Sequence, residues 1–186
     1  VNRPVVFFDR DGTLNIEKGY IKNLSDLDLI PGAAQSVTRL NQAGITVVLV
    51  TNQSGAARGF YPESHINDLN QRLANLLAQD GAKLDAMYYC PHLAASKIEQ
   101  YAVDCDCRKP ATGMIERAFI EHPDLDWQRA YMVGDKYSDI ELASNCGIKS
   151  ILVESGYGLT ERKNSHNWKV EPTFIASSVT TAVDWI

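Results

Sequence analysis

The stretch Val5-Val6-Phe7-Phe8-Asp9-Arg10-Asp11-Gly12-Thr13 runs four apolar residues without alternation into a knot of charged and turn-forming ones. An unbroken apolar run of this length is the pattern of a strand buried on both faces. The same layout recurs outward along the chain. Ile45 to Val50 leads into Thr51-Asn52-Gln53-Ser54-Gly55, and Ala130 to Val133 into Gly134-Asp135-Lys136; Leu84 to Tyr89 and Ile148 to Val153 complete five expected strands. Helical spacing fills the intervals: Ala33 to Gln42 after Pro31-Gly32, Ile66 to Ala78 with Ile66, Leu69, Leu73, Leu76 and Leu77 on one face, Gly113 to Glu121, and Ser138 to Asn145. This alternation predicts an α/β fold, a Rossmann-like three-layer sandwich with a parallel sheet, its ligand site beyond the carboxyl ends of the strands. A closing strand near Phe174 and a short terminal helix are expected after it.

With 186 residues, 45% of them hydrophobic, the chain suits one full core, and a single domain over residues 1–186 is expected. Eighteen Lys and Arg against 23 Asp and Glu give a net charge of −5, which disfavours nonspecific binding to nucleic acid or an anionic membrane. Val1 is followed almost at once by the first apolar run, and no apolar stretch has the length of a leader or a membrane span, so a cytoplasmic, monomeric protein is the expectation.

The residues following the strands are ordinary turn formers taken singly. Turn propensity gives no reason for acidic pairs and a hydroxyl to gather at one sheet edge together with Arg108-Lys109. Phosphoryl transfer does: it needs an in-line nucleophile, neutralisation of the equatorial oxygens and a proton for the leaving oxygen. Asp9 can attack phosphorus if a divalent cation offsets the repulsion between anions, and Mg2+ held by Asp9 and Asp135 suits that task. Asp11, two residues on, can share the face of Asp9 and move the proton. Thr51 offers a hydroxyl, the backbone amides of the turn at Asn52 and Gln53 can hold a phosphate oxygen, and Lys109 supplies a fixed positive charge.

Asp9-x-Asp11-Gly12-Thr13, the strand ending in Thr51-Asn52, Lys109 before a helix, and Gly134-Asp135-x-x-x-Asp139 resemble, in order, the four motifs of the haloacid dehalogenase superfamily of phosphohydrolases. The resemblance implies Asp9 as nucleophile, Asp11 as acid/base and as a carbonyl ligand of Mg2+, Thr51 and Lys109 as phosphoryl stabilisers, and Asp135 as a metal ligand, with Asp139 supporting it. The spacings between motifs imply a capless member.

Cys90-Pro91-His92 and Cys105-Asp106-Cys107 bracket residues 93–104. Three thiolates and an imidazole complete a tetrahedral structural Zn2+ site, leave no open position for catalysis, and place Arg108 and Lys109 directly after the last ligand. A bridge between Cys105 and Cys107 would be strained. Cys146, before Gly147, reads as a buried packing residue, and His65, His122 and His166 as facing solvent. A zinc loop ending Cys-Asp-Cys-Arg-Lys-Pro is similar to that of the heptose bisphosphate phosphatases and of the histidinol-phosphate phosphatases. The length of the insert, with Gly19-Tyr20 and Arg58-Gly59, favours the heptose group. That resemblance implies a phosphorylated sugar as substrate, removal of its C7 phosphate on the way to a nucleotide sugar, and contacts from Glu17, Lys18, Gly19, Tyr20, Asn52, Gln53, Ser54, Arg108 and Lys136. A resemblance of the Thr51-Asn52-Gln53 segment to DNA 3'-phosphatase domains, and a non-catalytic zinc-stabilised module, are the competing readings.

Overall fold

The computed structural model describes residues 2–186. Six parallel strands form one sheet in the order β3-β2-β1-β4-β5-β6: β1 (Arg3–Phe8), β2 (Thr46–Asn52), β3 (Ala86–Cys90), β4 (Leu125–Gly134), β5 (Lys149–Val153) and β6 (Phe174–Ala176). β1 is central, and its apolar run is divided by the pleat. Val5 and Phe7 join Val48, Val50, Met132 and the helices α3 (Gly113–Glu121) and α4 (Tyr137–Cys146); Val6 and Phe8 join Val47, Leu49, Val133 and the helices α1 (Ala33–Gln42), α2 (Ser64–Ala78) and α6 (Val179–Trp185). Successive side chains point to opposite faces, so a strand covered on both sides must be apolar throughout. Truncating Phe7 or Phe8, both fully buried, to alanine would cost about 3–5 kcal/mol.

The helices follow from their apolar stripes. In α2, Ile66, Leu69, Leu73 and Leu77 are buried together with Asn70, a polar residue set within the stripe. α4 stops where Gly147 takes a left-handed conformation at φ 67°, and Cys146 packs in the core as expected. Of the three histidines expected in solvent only His166 is exposed: His122 is half-buried, and His65 is half-buried with its Nε2 3.1 Å from the Ile21 carbonyl and its ring against Tyr61.

Strand and helix limits fall near the expected ones, and β6 and α6 sit where the closing strand and terminal helix were anticipated. Two differences are larger. β4 extends back to Leu125, which pairs with Arg3, but the register shifts before Ala130 meets Val5, so Asp126 to Arg129 form an irregular, largely exposed stretch that carries no apolar run, and a further helix, α5 (Gly158–Lys163), follows β5. Among the described residues, no helix is long and apolar enough to cross a membrane.

The order places the topological switch at β1 and β4: the chain leaves β1 toward one edge and returns to its other side with β4, opening a crevice beyond their carboxyl ends. Three connections overhang it, spanning residues 9–32, 53–63 and 91–112. None folds into a separate cap.

Candidate active site

Asp9 follows β1 and Asp135 follows β4, so the switch point sets two carboxylates side by side; Asp139, from the first turn of α4, makes a third. Donor oxygens of all three lie within 4.8 Å of one another, and the residues are 5%, 0% and 0% exposed. The cation that bridges two of them is Lys109. Its Nζ lies 2.8 Å from Asp9 Oδ1 and 2.7 Å from Asp139 Oδ1 and donates to the Val50 carbonyl at 3.0 Å. Burial alone would lower its pKa, but attraction to Asp139 and then Asp9 holds the amine charged. Asn52 fixes its backbone from β2, donating to the Lys109 carbonyl and accepting from its N–H.

One lysine cannot balance three buried carboxylates. Burial, then repulsion from Asp9 and Asp139, pushes Asp135 up to about 8, and Asp135 Oδ1 has no hydrogen-bond partner. Its other oxygen accepts from the Tyr157 amide at 2.8 Å. Gly12, in the left-handed region at φ 81°, lies against that carboxylate so closely that a Cβ would collide with it. An orphaned buried oxygen, excess negative charge and an all-oxygen donor set fit a hard divalent cation.

Asp11 lines the same cavity. Burial acts to raise its pKa, but the Arg10 charge and hydrogen bonds from Asn15 and Gln53 outweigh it and hold the carboxyl below its ordinary value. Thr51 is buried beside it, its Oγ1 accepting from Gln53 Nε2 at 3.0 Å. The cavity has a volume of about 320 Å³, and beyond these groups its rim carries Glu17, Gly19, Tyr20, Ser54, Arg58, Arg108 and Lys136.

The structure therefore brings together nearly all the expected site residues, with three qualifications. Lys18 turns outward, its Nζ 2.6 Å from Asp28 Oδ2 and 2.8 Å from the Asp26 carbonyl, and it does not line the cavity. The Asn52 side-chain amide is spent on Lys109, the Gln53 backbone N–H donates to the Cys90 carbonyl at 2.8 Å rather than facing a phosphate oxygen, and the Gln53 side chain points inward to Asp11, Thr51 and Arg10. Sequence reasoning used Arg58 only as part of the resemblance and gave it no contact, yet its guanidinium lies 5.6 Å from the Tyr20 ring at the cavity rim; it passed over Tyr157, whose ring sits under Lys136 Nζ at 4.7 Å. Tyr157 follows Glu154-Ser155-Gly156 in the turn beyond β5, and that acidic and hydroxyl pair at a strand's carboxyl end was the available signal.

The cysteine cluster assembles at the end of β3. Cys90 Sγ lies 3.6 Å from Cys105 Sγ and 3.7 Å from His92 Nδ1; Cys107 Sγ is 3.4 Å from each of Cys105 Sγ and His92 Nδ1. Metal–sulfur bonds of about 2.3 Å at tetrahedral angles put sulfurs about 3.8 Å apart, so four donors at these separations frame one tetrahedral ion. The loop has other anchors besides. Tyr101 packs with Ala56, Ala57 and Ile66, and Ser96 donates to the Ala57 carbonyl at 2.6 Å. Arg108 is held toward the cavity rim by its bond to the His92 carbonyl at 3.0 Å.

Comparison with known proteins agrees with this geometry. A family model described as haloacid dehalogenase-like hydrolase matches residues 6–82, and a second, HAD-hydrolase-like, matches residues 106–182. The chain is 48% identical over 188 residues to the D-glycero-D-manno-heptose-1,7-bisphosphate 7-phosphatase of Thermosynechococcus vestitus, covering 99% of this chain and 95% of that one. It is 38% identical to the D-glycero-beta-D-manno-heptose-1,7-bisphosphate 7-phosphatase of Escherichia coli, covering 89% and 87%. The crystal structure of the D,D-heptose 1,7-bisphosphate phosphatase of B. bronchiseptica, complexed with magnesium and phosphate, superposes with a TM-score of 0.85 at 31% identity over 98% of this chain and 97% of that one. By its fold, the carboxylate cluster at its switch point and these relatives, the chain belongs to the heptose 1,7-bisphosphate phosphatase family of haloacid dehalogenase-like hydrolases.

Proposed function

We propose that the protein hydrolyses the C7 phosphate of D-glycero-D-manno-heptose 1,7-bisphosphate to give heptose 1-phosphate, with Asp9 as nucleophile. The observation that carries this reading is the convergence of Asp9, Asp11, Asp135 and Lys109 beneath a cavity rimmed by Arg58, Arg108 and Lys136. A buried carboxylate cluster supplies the chemistry, and the basic rim suits a substrate with a second anionic group.

Asp9, Asp135 and the Asp11 carbonyl would hold Mg2+, which neutralises charge on the phosphate and lets one anion approach another. An Asp9 oxygen attacks phosphorus and the bond to the C7 oxygen breaks. Asp11, ionised in the free protein, takes up a proton once the anionic phosphate binds beside it and gives that proton to the C7 oxygen, so the sugar leaves as an alcohol. Asp11 then takes a proton from water as the water oxygen attacks phosphorus, which releases phosphate and restores the Asp9 carboxylate. Lys109, fixed between Asp9 and Asp139, orients the nucleophile and offsets the charge of the phosphoryl group. At the rim, the Arg108 fork has the geometry to grip the second phosphate. Cys90, His92, Cys105 and Cys107 would hold a structural Zn2+, and thiolates free to bind it favour a reducing, cytoplasmic setting.

The test is a side-by-side measurement of kcat/KM for both anomers of heptose 1,7-bisphosphate and for histidinol phosphate, with Mg2+ present. A clear preference for the bisphosphate is expected. A preference for histidinol phosphate would overturn the substrate while leaving the chemistry intact.

A further inference from the structure

Arg10 is the bulkiest fully buried side chain in the protein, 1% exposed, and it lies between the two aspartates of the first motif. A buried guanidinium is costly unless its donors are matched, and here each of its three nitrogens has an acceptor. Nε donates to Asp11 Oδ2 at 3.2 Å, Nη2 to both Asp11 oxygens at 3.0 and 3.3 Å and to Gln53 Oε1 at 2.8 Å, and Nη1 to Asn70 Oδ1 at 3.0 Å. Asp11 is held from two further directions. Asn15 Nδ2 donates to Oδ1 at 3.0 Å and Gln53 Nε2 to Oδ2 at 2.7 Å. Among the described residues, Asp11 is the only carboxylate that Arg10 meets.

The fork fixes the plane of the Asp11 carboxylate, and Asn70 and Gln53 fix the fork. We propose that Arg10 is the positioning residue for proton transfer by Asp11, and that Asn70, on α2 and outside the cavity lining, sets that position through it. The inference rests on the Asp9 and Asp11 roles proposed above. Packing alone does not call for this arrangement. Asn70 occupies a place in the apolar stripe of α2 between Ile66 and Leu73, where a leucine would bury more surface, and its side-chain oxygen accepts from Arg10. A proton donor must lie within hydrogen-bond reach of the leaving oxygen, and a shift of about 1 Å can cost on the order of a hundredfold in rate.

The leaving group separates positioning from mere structure. A sugar C7 alkoxide needs a proton to depart, whereas p-nitrophenolate leaves without one. For Asn70→Ala, kcat/KM for heptose 1,7-bisphosphate should fall roughly 10- to 100-fold while that for p-nitrophenyl phosphate changes by less than about threefold. Arg10→Lys, which keeps the charge and loses the fork, should show the same split, and it decides the matter if Asn70→Ala does not fold. Equal losses on both esters in folded protein, or no loss on either, would overturn the inference. If wild-type protein with Mg2+ turned over neither ester, the proposed function itself would fall, a result distinct from a wild type active on both whose variants show no split.

Discussion

Replacing Lys109 with methionine should be among the most destabilising single changes at the site. The side chain is 2% exposed, its amine bridges Asp9 and Asp139, and Asp135 lies beside them with no hydrogen-bond partner on Oδ1. Methionine fills much of the same volume, so the lost charge dominates. Removing one partner of a buried ion pair costs about 3–5 kcal/mol. At this chain length each kcal/mol corresponds to roughly 2–4 °C, so the melting temperature without Mg2+ should drop by roughly 6–20 °C. Thermal and guanidinium unfolding followed by circular dichroism measure it. Much of the penalty is unbalanced carboxylate charge, so Asp139→Asn added to Lys109→Met should recover about 0.5–3 kcal/mol, although alone it should destabilise. A Lys109→Met protein within about 0.5 kcal/mol of wild type, or a double variant less stable than either single one, would refute this account of how the cluster is balanced.

Mg2+ should stabilise the protein more at high pH than at low. Asp135 is pushed up to about 8 and Asp139 to about 6, chiefly by burial, so the folded state binds protons that the unfolded state has released. In the absence of Mg2+ the stability these groups contribute is present below about pH 4 and is lost as pH rises through about 6 and then 8. Zinc-loaded protein melted with and without millimolar Mg2+ at about pH 5 and pH 8 should show the larger Mg2+ increment at pH 8, and an equal or reversed increment would contradict the assignment. Cys107→Ser should lower bound zinc from about one ion per chain toward none and expose residues 91–112 to proteolysis, while the apolar cores on both faces keep the sheet folded. Elemental analysis and limited proteolysis check both, and undiminished zinc would contradict the donor set.

Much of this arrangement was legible in the residues themselves. Strands buried on both faces leave unbroken apolar runs, and the residues just past each run, at the carboxyl edge of a parallel sheet, are the ones that meet the ligand, so Asp9, Asp11, Thr51 and Asp135 could be read in order. The cysteine cluster was legible from its density, three of the four cysteines gathering with one histidine. Other features depend on packing between distant segments. Nothing local says that Lys18 turns to Asp28, that the Asn52 amide is taken up by the Lys109 backbone, or that Gln53 faces inward. Tyr157 enters the site only because the turn after β5 is drawn against Asp135. Arg10 was passed over because an arginine beside two aspartates reads as solvated charge. Its burial depends on α2, and the one available signal was Asn70 interrupting an apolar stripe. The first half of β4 escaped notice because the register shifts between Leu125 and Ala130 and the exposed residues there show no apolar run.

The central claim is that Asp9 carries the phosphoryl group, and trapping that intermediate tests it most directly. Protein mixed with Mg2+ and heptose 1,7-bisphosphate labelled in the C7 phosphate, quenched in acid during turnover, should retain label that hydroxylamine releases. Borohydride reduction of the trapped acyl phosphate should mark the peptide that contains Asp9, and Asp9→Asn should retain none. Turnover with no protein-bound label at any quench time, together with undiminished activity of Asp9→Asn, would contradict the account.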